Sequence, residues 1–171
     1  MNGYEFYPED GSTLYEEEAQ ELSERARSLW LRLTFAGEYS EGMSPVQIQG
    51  RKYLPMFPAR DGVYTIEQVR EKFLEVFSEK FTDKTLNAAI ASKDLLEYNG
   101  NVYAAYRKNR GETSYNSWAD HVRDDGDGKF TVVMGGSMPP NGGTVYVELP
   151  TEKNAAGKFV FTDYPYWDQS E

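Results

Sequence analysis

The residues able to do chemistry are few, and their spacing decides most of the reading. His121 is the single histidine, and the chain has no cysteine. The absence of cysteine removes disulfides, thiolate metal sites and cysteine nucleophiles together. One imidazole cannot build a multi-histidine metal site, so His121 reads as a surface or network residue. Asp124-Asp125-Gly126-Asp127-Gly128 has the oxygen-rich composition of a calcium loop. Such a loop needs oxygen ligands at its first, third and fifth positions, glycine at the sixth and glutamate at the twelfth. With Gly128 sixth, the first position is Arg123 and the twelfth is Met134, and neither fits. The stretch reads instead as an Asp/Gly turn ahead of a strand at Phe130.

Gly135-Gly136-Ser137-Met138-Pro139 approaches a nucleophile elbow, but Pro139 stands where the second glycine belongs and the context is sheet loop rather than strand-to-helix. Gly135-Gly136 and Gly142-Gly143 lack the following helix N-terminus and the lysine of a nucleotide-phosphate loop, and read as backbone that visits positive φ. Paired carboxylates could hydrolyse glycosides, yet an acidic chain offers so many pairs that none is singled out. The expectation is a non-enzymatic protein with no cofactor and no metal. Tyr164-Pro165-Tyr166-Trp167 is the remaining cluster. Such rings stack on sugars or anchor a protein partner, or else fold back on a sheet.

The bulk properties agree with a binding role. The chain has 171 residues and a formal net charge of −10. A negative surface repels phosphate backbones and anionic lipid heads, so nucleic acid is excluded and a basic protein partner favoured; solubility alone is the plainer reading of that charge. No apolar run approaches the roughly 20 residues of a membrane span, and residues 1–12 show neither the basic start nor the apolar stretch of an export signal.

The elements that must position these residues follow from periodicity. Residues 1–12 read as an irregular arm, and 13–171 as one α+β domain. An alternative is two lobes, 13–92 helix-rich and 93–171 antiparallel sheet. A helix is predicted from Thr13 to Phe35, capped by Thr13 with Glu16 and ended by Gly37, with Ala19, Leu22, Ala26, Leu29, Trp30 and Leu33 on one face. Val46–Leu54 suits a hairpin turning at Gly50-Arg51. Thr65 with Gln68 caps a second helix whose apolar face is Ile66, Val69, Phe73, Val76 and Phe77. A short third helix near Asp83 turns Leu86, Ala89 and Ile90 inward. Asn99-Gly100 marks a second hairpin. Trp118 lies in a strand or short helix, and Phe130–Met134, Thr144–Leu149 and Phe159–Thr162 are strands. The expected fold is α+β, N-terminal helices packed on C-terminal antiparallel sheet.

The order of these features resembles a known family. The helix with Ala26-Arg27-Ser28-Leu29-Trp30 comes first, then the strand pair Ile48-Gln49-Gly50-Arg51-Lys52-Tyr53. Helices open at Tyr64-Thr65-Ile66-Glu67-Gln68-Val69-Arg70 and Phe81-Thr82-Asp83-Lys84. Asn99-Gly100-Asn101-Val102-Tyr103, Trp118 and Gly142-Gly143-Thr144 complete it over residues 15–163. This is similar to the IseA-type inhibitors of D,L-endopeptidases and related clostridial exported proteins. The resemblance implies a two-lobed, non-enzymatic protein outside the membrane, extracellular or at the cell wall. It further implies an acidic loop that blocks the substrate cleft of an NlpC/P60-type peptidoglycan hydrolase. Between the Tyr103 strand and Trp118 the chain reads Arg107-Lys108-Asn109-Arg110-Gly111-Glu112, basic apart from Glu112. Asp124, Asp125 and Asp127 are the other carriers of acid. The candidate partner-binding residues are therefore Glu112, Asp124, Asp125, Asp127, Tyr164, Tyr166 and Trp167. The rival readings are a glycan-binding module using exposed rings, and an intracellular interaction protein of related fold.

Overall fold

The computed structural model describes residues 11–34, 43–106, 117–138 and 143–164. Helix α1 spans Glu16–Thr34. Strands β1 (Val46–Ile48) and β2 (Arg51–Pro55) form a hairpin, and a single 3-10 turn occupies Ala59–Asp61. Helices α2 (Ile66–Leu74) and α3 (Glu79–Ala91) follow, then strands β3 (Leu95–Tyr98) and β4 (Asn101–Ala105). Strands β5 (Ser117–Gly126), β6 (Lys129–Met138), β7 (Gly143–Lys153) and β8 (Phe159–Phe161) complete the order. The chain is α+β, with helices packed against two antiparallel sheets ordered β1-β2-β4-β3 and β5-β6-β7-β8.

The predicted stripe of α1 is the packed one. Ala19, Leu22, Ala26, Leu29 and Leu33 are buried, Trp30 packs against the same core, and Leu31 is buried off that stripe. The predicted start is displaced. Tyr15 carbonyl accepts the Ala19 N–H at 2.9 Å, so the helix begins at Glu16 and Thr13 stands outside the capping position. The physical reason is Leu14, only 3% exposed, which is drawn into the core and holds the chain out of helical geometry. Gly37 lies outside the described residues.

Three hairpins turn on paired positive φ, the signature of the primed turns whose twist matches the strands. They are Gln49-Gly50 (53° and 81°), Asn99-Gly100 (49° and 76°) and Asp127-Gly128 (55° and 74°). The first corrects the prediction by one residue: Gln49-Gly50 make the turn, and Arg51 already opens β2. Trp118 is in strand. Asp124 and Asp125, read from sequence as turn, belong to β5, which continues to Gly126 through bulges at Ala119/His121 and Asp124/Gly126.

The second helix carries its predicted capping box: Thr65 hydroxyl accepts the Gln68 N–H while the Gln68 side chain accepts the Thr65 N–H. The third helix is longer than predicted because Ser78 caps it, accepting the Phe81 N–H. Leu86 and Ala89 point inward as expected, but Ile90 is 39% exposed, since one helical step beyond Ala89 rotates it off the core face.

The main core cluster draws on all three helices and both sheets, including Leu54, Val102 and Ala104 from one and Val132, Met134 and Leu149 from the other, and a small second cluster holds Ile48, Tyr53 and Ala105. The β1-β2-β4-β3 sheet takes strands from both sides of residue 92. Strand β8 joins helices to sheet: Phe161 N–H donates to Val76 carbonyl, and Ser78 N–H to Phe161 carbonyl, both at 2.8 Å. Around this junction Trp30, Phe73, Phe77, Phe81, Phe161 and Tyr164 form a chain of ring contacts with centroids 4.9–6.5 Å apart. The four-stranded meander is thereby anchored on its inner face, and its other face is left to other uses.

Candidate docking surface

Alternation along β5, β6 and β7 sorts their side chains onto two faces. Phe130, Val132, Met134, Val147 and Leu149 enter the core. The opposite face carries three cross-strand rows fixed by register: Trp118, Gly135 and Tyr146; His121, Val133 and Glu148; Arg123, Thr131 and Pro150.

The first row is aromatic. The Trp118 ring lies over Gly135 so closely that a Cβ there would sit 2.8 Å from Cε2 and Nε1 and 2.9 Å from Cζ2. Gly135 is therefore glycine because a ring occupies the side-chain position, not because of its backbone angle. Across the same row Tyr146 is 61% exposed, the most exposed of the large hydrophobic residues described. Sequence reasoning missed this row. Its available signal was a glycine inside a strand pattern, which marks a bulge or a close approach.

The other rows are ionic. Arg123 donates to Asp125 at 2.8 Å and also to Glu148, and Thr131 hydroxyl donates to Asp125. These bonds hold Asp125 below the usual carboxylate range, Arg123 first and then Thr131. His121 Nδ1 lies 2.8 Å from an Asp120 carboxylate oxygen. Asp124 accepts the Gly126 N–H at 2.9 Å and so fixes the bulge. Asp127 sits at the hairpin tip with φ 55° and, among the described residues, pairs with no side chain. Every residue from Arg123 to Lys129 is exposed, so the β5–β6 hairpin projects from the body of the protein.

The remaining candidates fall differently. Tyr164 packs edge-on to Phe77 and tilted against Trp30 and Phe161, half-buried in the ring chain. Glu112, Tyr166 and Trp167 lie outside the described residues. The displaced ionisations all belong to ion pairs at the surface, some half-buried: Arg51 with Asp94, Arg70 with Asp83, and Arg123 with Asp125 and Glu148. Each is displaced towards its charged form. Such groups hold geometry and present charge; they are poor proton shuttles near neutrality. Among the described residues no group of three or more His, Asp or Glu is placed to hold a metal.

Two open clefts flank α1, of about 520 and 590 Å³, separated by the Arg25–Glu75 ion pair at 3.0 Å. Both are rimmed by mixed charge, with Glu21, Glu24 and Glu71 among the acids.

The fold and the surface together define a mixed α+β protein with a projecting acidic hairpin and a ring-bearing outer sheet face. No helix described is long and apolar enough to cross a membrane. The chain matches no protein-family model, and no curated protein matches it.

Proposed function

We propose that the chain is a non-catalytic docking protein that inhibits or regulates a cell-wall peptidoglycan hydrolase of the NlpC/P60 type, acting outside the membrane. The observation that carries this reading is the β5–β6 hairpin, exposed along its whole outer half and tipped by Asp127, whose carboxylate pairs with no side chain among the described residues. Peptidoglycan stem peptides carry carboxylates, so a hydrolase cleft that binds them favours negative charge. A narrow strand pair ending in Asp127 has the shape and the charge to compete for it. Of the three aspartates singled out by charge, Asp124 and Asp125 shape the hairpin, and Asp127 meets the partner. The element order behind the family resemblance supports the same reading.

The test is inhibition of a purified NlpC/P60 domain hydrolysing peptidoglycan fragments. The full chain should bind and inhibit. Asp127→Asn keeps a residue tolerant of positive φ and removes the charge, and should weaken inhibition about tenfold, or roughly 1.4 kcal/mol. A hydrolase neither bound nor slowed by the unaltered chain would end the proposal.

The second reading, a glycan-binding module, is favoured by the Trp118 and Tyr146 pair rather than by Tyr164. Titration with peptidoglycan oligosaccharides, followed by tryptophan fluorescence, decides it. A signal unchanged through millimolar sugar sets it aside.

A further inference from the structure

A sheet edge exposes a row of backbone donors and acceptors, and proteins blunt such edges with short strands, bulges and charge. Three edges here are managed that way. Strand β1 covers only Val46–Ile48 and β3 only Leu95–Tyr98, where Glu97 is tied to the Ile66 N–H at 2.6 Å. The outer strand β5 is broken by two bulges and carries Asp120, Arg123, Asp124 and Asp125.

Strand β7 is different. It spans Gly143–Lys153, but β8 pairs only with Thr151, Glu152 and Lys153. From Gly143 to Leu149 its register with β6 is unbroken, and among the described residues β6 is its only strand partner there. This stretch, Gly-Thr-Val-Tyr-Val-Glu-Leu, has high strand propensity, one charge, no proline and no bulge. Its open side can be assigned. Pro150 carbonyl accepts the Thr162 N–H at 2.9 Å, so Pro150 faces the β8 side. By the two-residue period of a strand, Thr144, Tyr146 and Glu148 aim their N–H and C=O groups the same way, outward.

We propose that the Gly143–Leu149 edge of β7 takes an extended, basic segment of a partner protein as an added strand. This rests on the docking reading above, but not on the partner's being a hydrolase. Main-chain pairing supplies the affinity, and alternate side chains supply the specificity. On the inner face the guest meets half-buried Val145 and Val147, which calls for apolar residues at alternate positions. On the outer face it meets Tyr146 and Glu148, whose carboxylate already accepts from Arg123; the net charge of −10 over the whole chain is what calls for lysine or arginine in the guest. A second copy is the weaker occupant. Two bodies of the same strong charge repel, and one short strand a side is far below the 20–30 residues of a stable interface.

The probe is an acetylated, amidated heptapeptide alternating lysine and valine, titrated against the full chain. Hydrogen exchange at the amides of Thr144, Tyr146 and Glu148 should slow when it binds. Tyr146→Pro removes an outward N–H without touching the β6 ladder, and should weaken binding at least tenfold. Tyr146→Ala keeps that N–H and should weaken it less than threefold. The same peptide N-methylated at alternate residues should not bind the unaltered chain, a readout independent of how the variants fold. Equal binding of the methylated peptide, or unchanged exchange at the three amides, overturns the proposal. So does self-association of the chain through this edge. Loss of strand addition with hydrolase inhibition intact would leave the hairpin reading standing. Peptide binding without hydrolase inhibition would do the reverse.

Discussion

Replacing Gly135 by alanine tests the aromatic row most directly. The new methyl would sit 2.8–2.9 Å from three atoms of the Trp118 ring. Carbon atoms settle at about 3.5–4.0 Å, so the ring must retreat by about 1 Å or the sheet must bend. Overpacking of this kind costs about 1–3 kcal/mol. For a chain of this size each kcal/mol moves the melting temperature by about 2–4 °C, so the midpoint should fall by about 2–12 °C. The cause fixes a second result. In a Trp118→Ala background no ring opposes the methyl, and alanine is the better strand residue by about 0.5–1 kcal/mol. The same substitution should then be neutral or stabilising. The assay is urea unfolding followed by far-UV circular dichroism on the wild type, both single variants and the double variant. The expected coupling is about 1–4 kcal/mol, above the few tenths at which independent sites add. An equal cost of Gly135→Ala in both backgrounds would refute the argument, because backbone conformation and not the ring would then demand glycine.

Other consequences can be checked the same way. Thr82 is fully buried in α3 and, among the described residues, its hydroxyl has no hydrogen-bond partner. Thr82→Val, of nearly the same shape, should therefore raise stability by about 1 kcal/mol in chemical denaturation, and a loss would mean the hydroxyl is satisfied. Thr65→Ala removes the hydroxyl that accepts from Gln68 and should cost about 1 kcal/mol, with Thr65→Ser recovering most of it. Arg70 grips Asp83 through two bonds, at 2.8 and 3.3 Å, and holds its carboxyl below the usual range. A depressed folded pKa gives stability that is present above the unfolded value and lost as pH falls through the folded one. Acid unfolding curves should show this loss beginning in the ordinary aspartate range, and Asp83→Asn should flatten that part of the curve. An unchanged acid limb would count against the pair.

Much of the architecture was legible along the chain because it is encoded locally. The Thr65/Gln68 box, the Asn99-Gly100 hairpin and the helical stripe of α1 each depend on residues within a few positions of one another. The errors share one cause. Thr13 has the sequence of a cap, yet burial of Leu14 delays the helix to Glu16. Helix α3 starts ahead of the predicted segment near Asp83 because Phe161 pairs with the linker between the helices and fixes where the chain can turn, at Ser78. Asp124 and Asp125 have turn composition, but pairing of Asp124 and Gly126 with β6 carries the segment into strand, with Asp125 in the bulge between them.

The chain alone determined that all three helices fall in its first half and most strands in its second, that charge is strongly negative, and that no cysteine chemistry is open to this protein. It also marked Asp124, Asp125 and Asp127 as carriers of acid. Only the tertiary structure decided which of them is spent on Arg123 and the bulge and which stands at the tip. It alone set Trp118 upon Gly135 beside Tyr146 and, among the described residues, left one stretch of β7 without a second strand neighbour. Those facts depend on cross-strand register between residues far apart in sequence, and local propensity carries no information about which strands become neighbours.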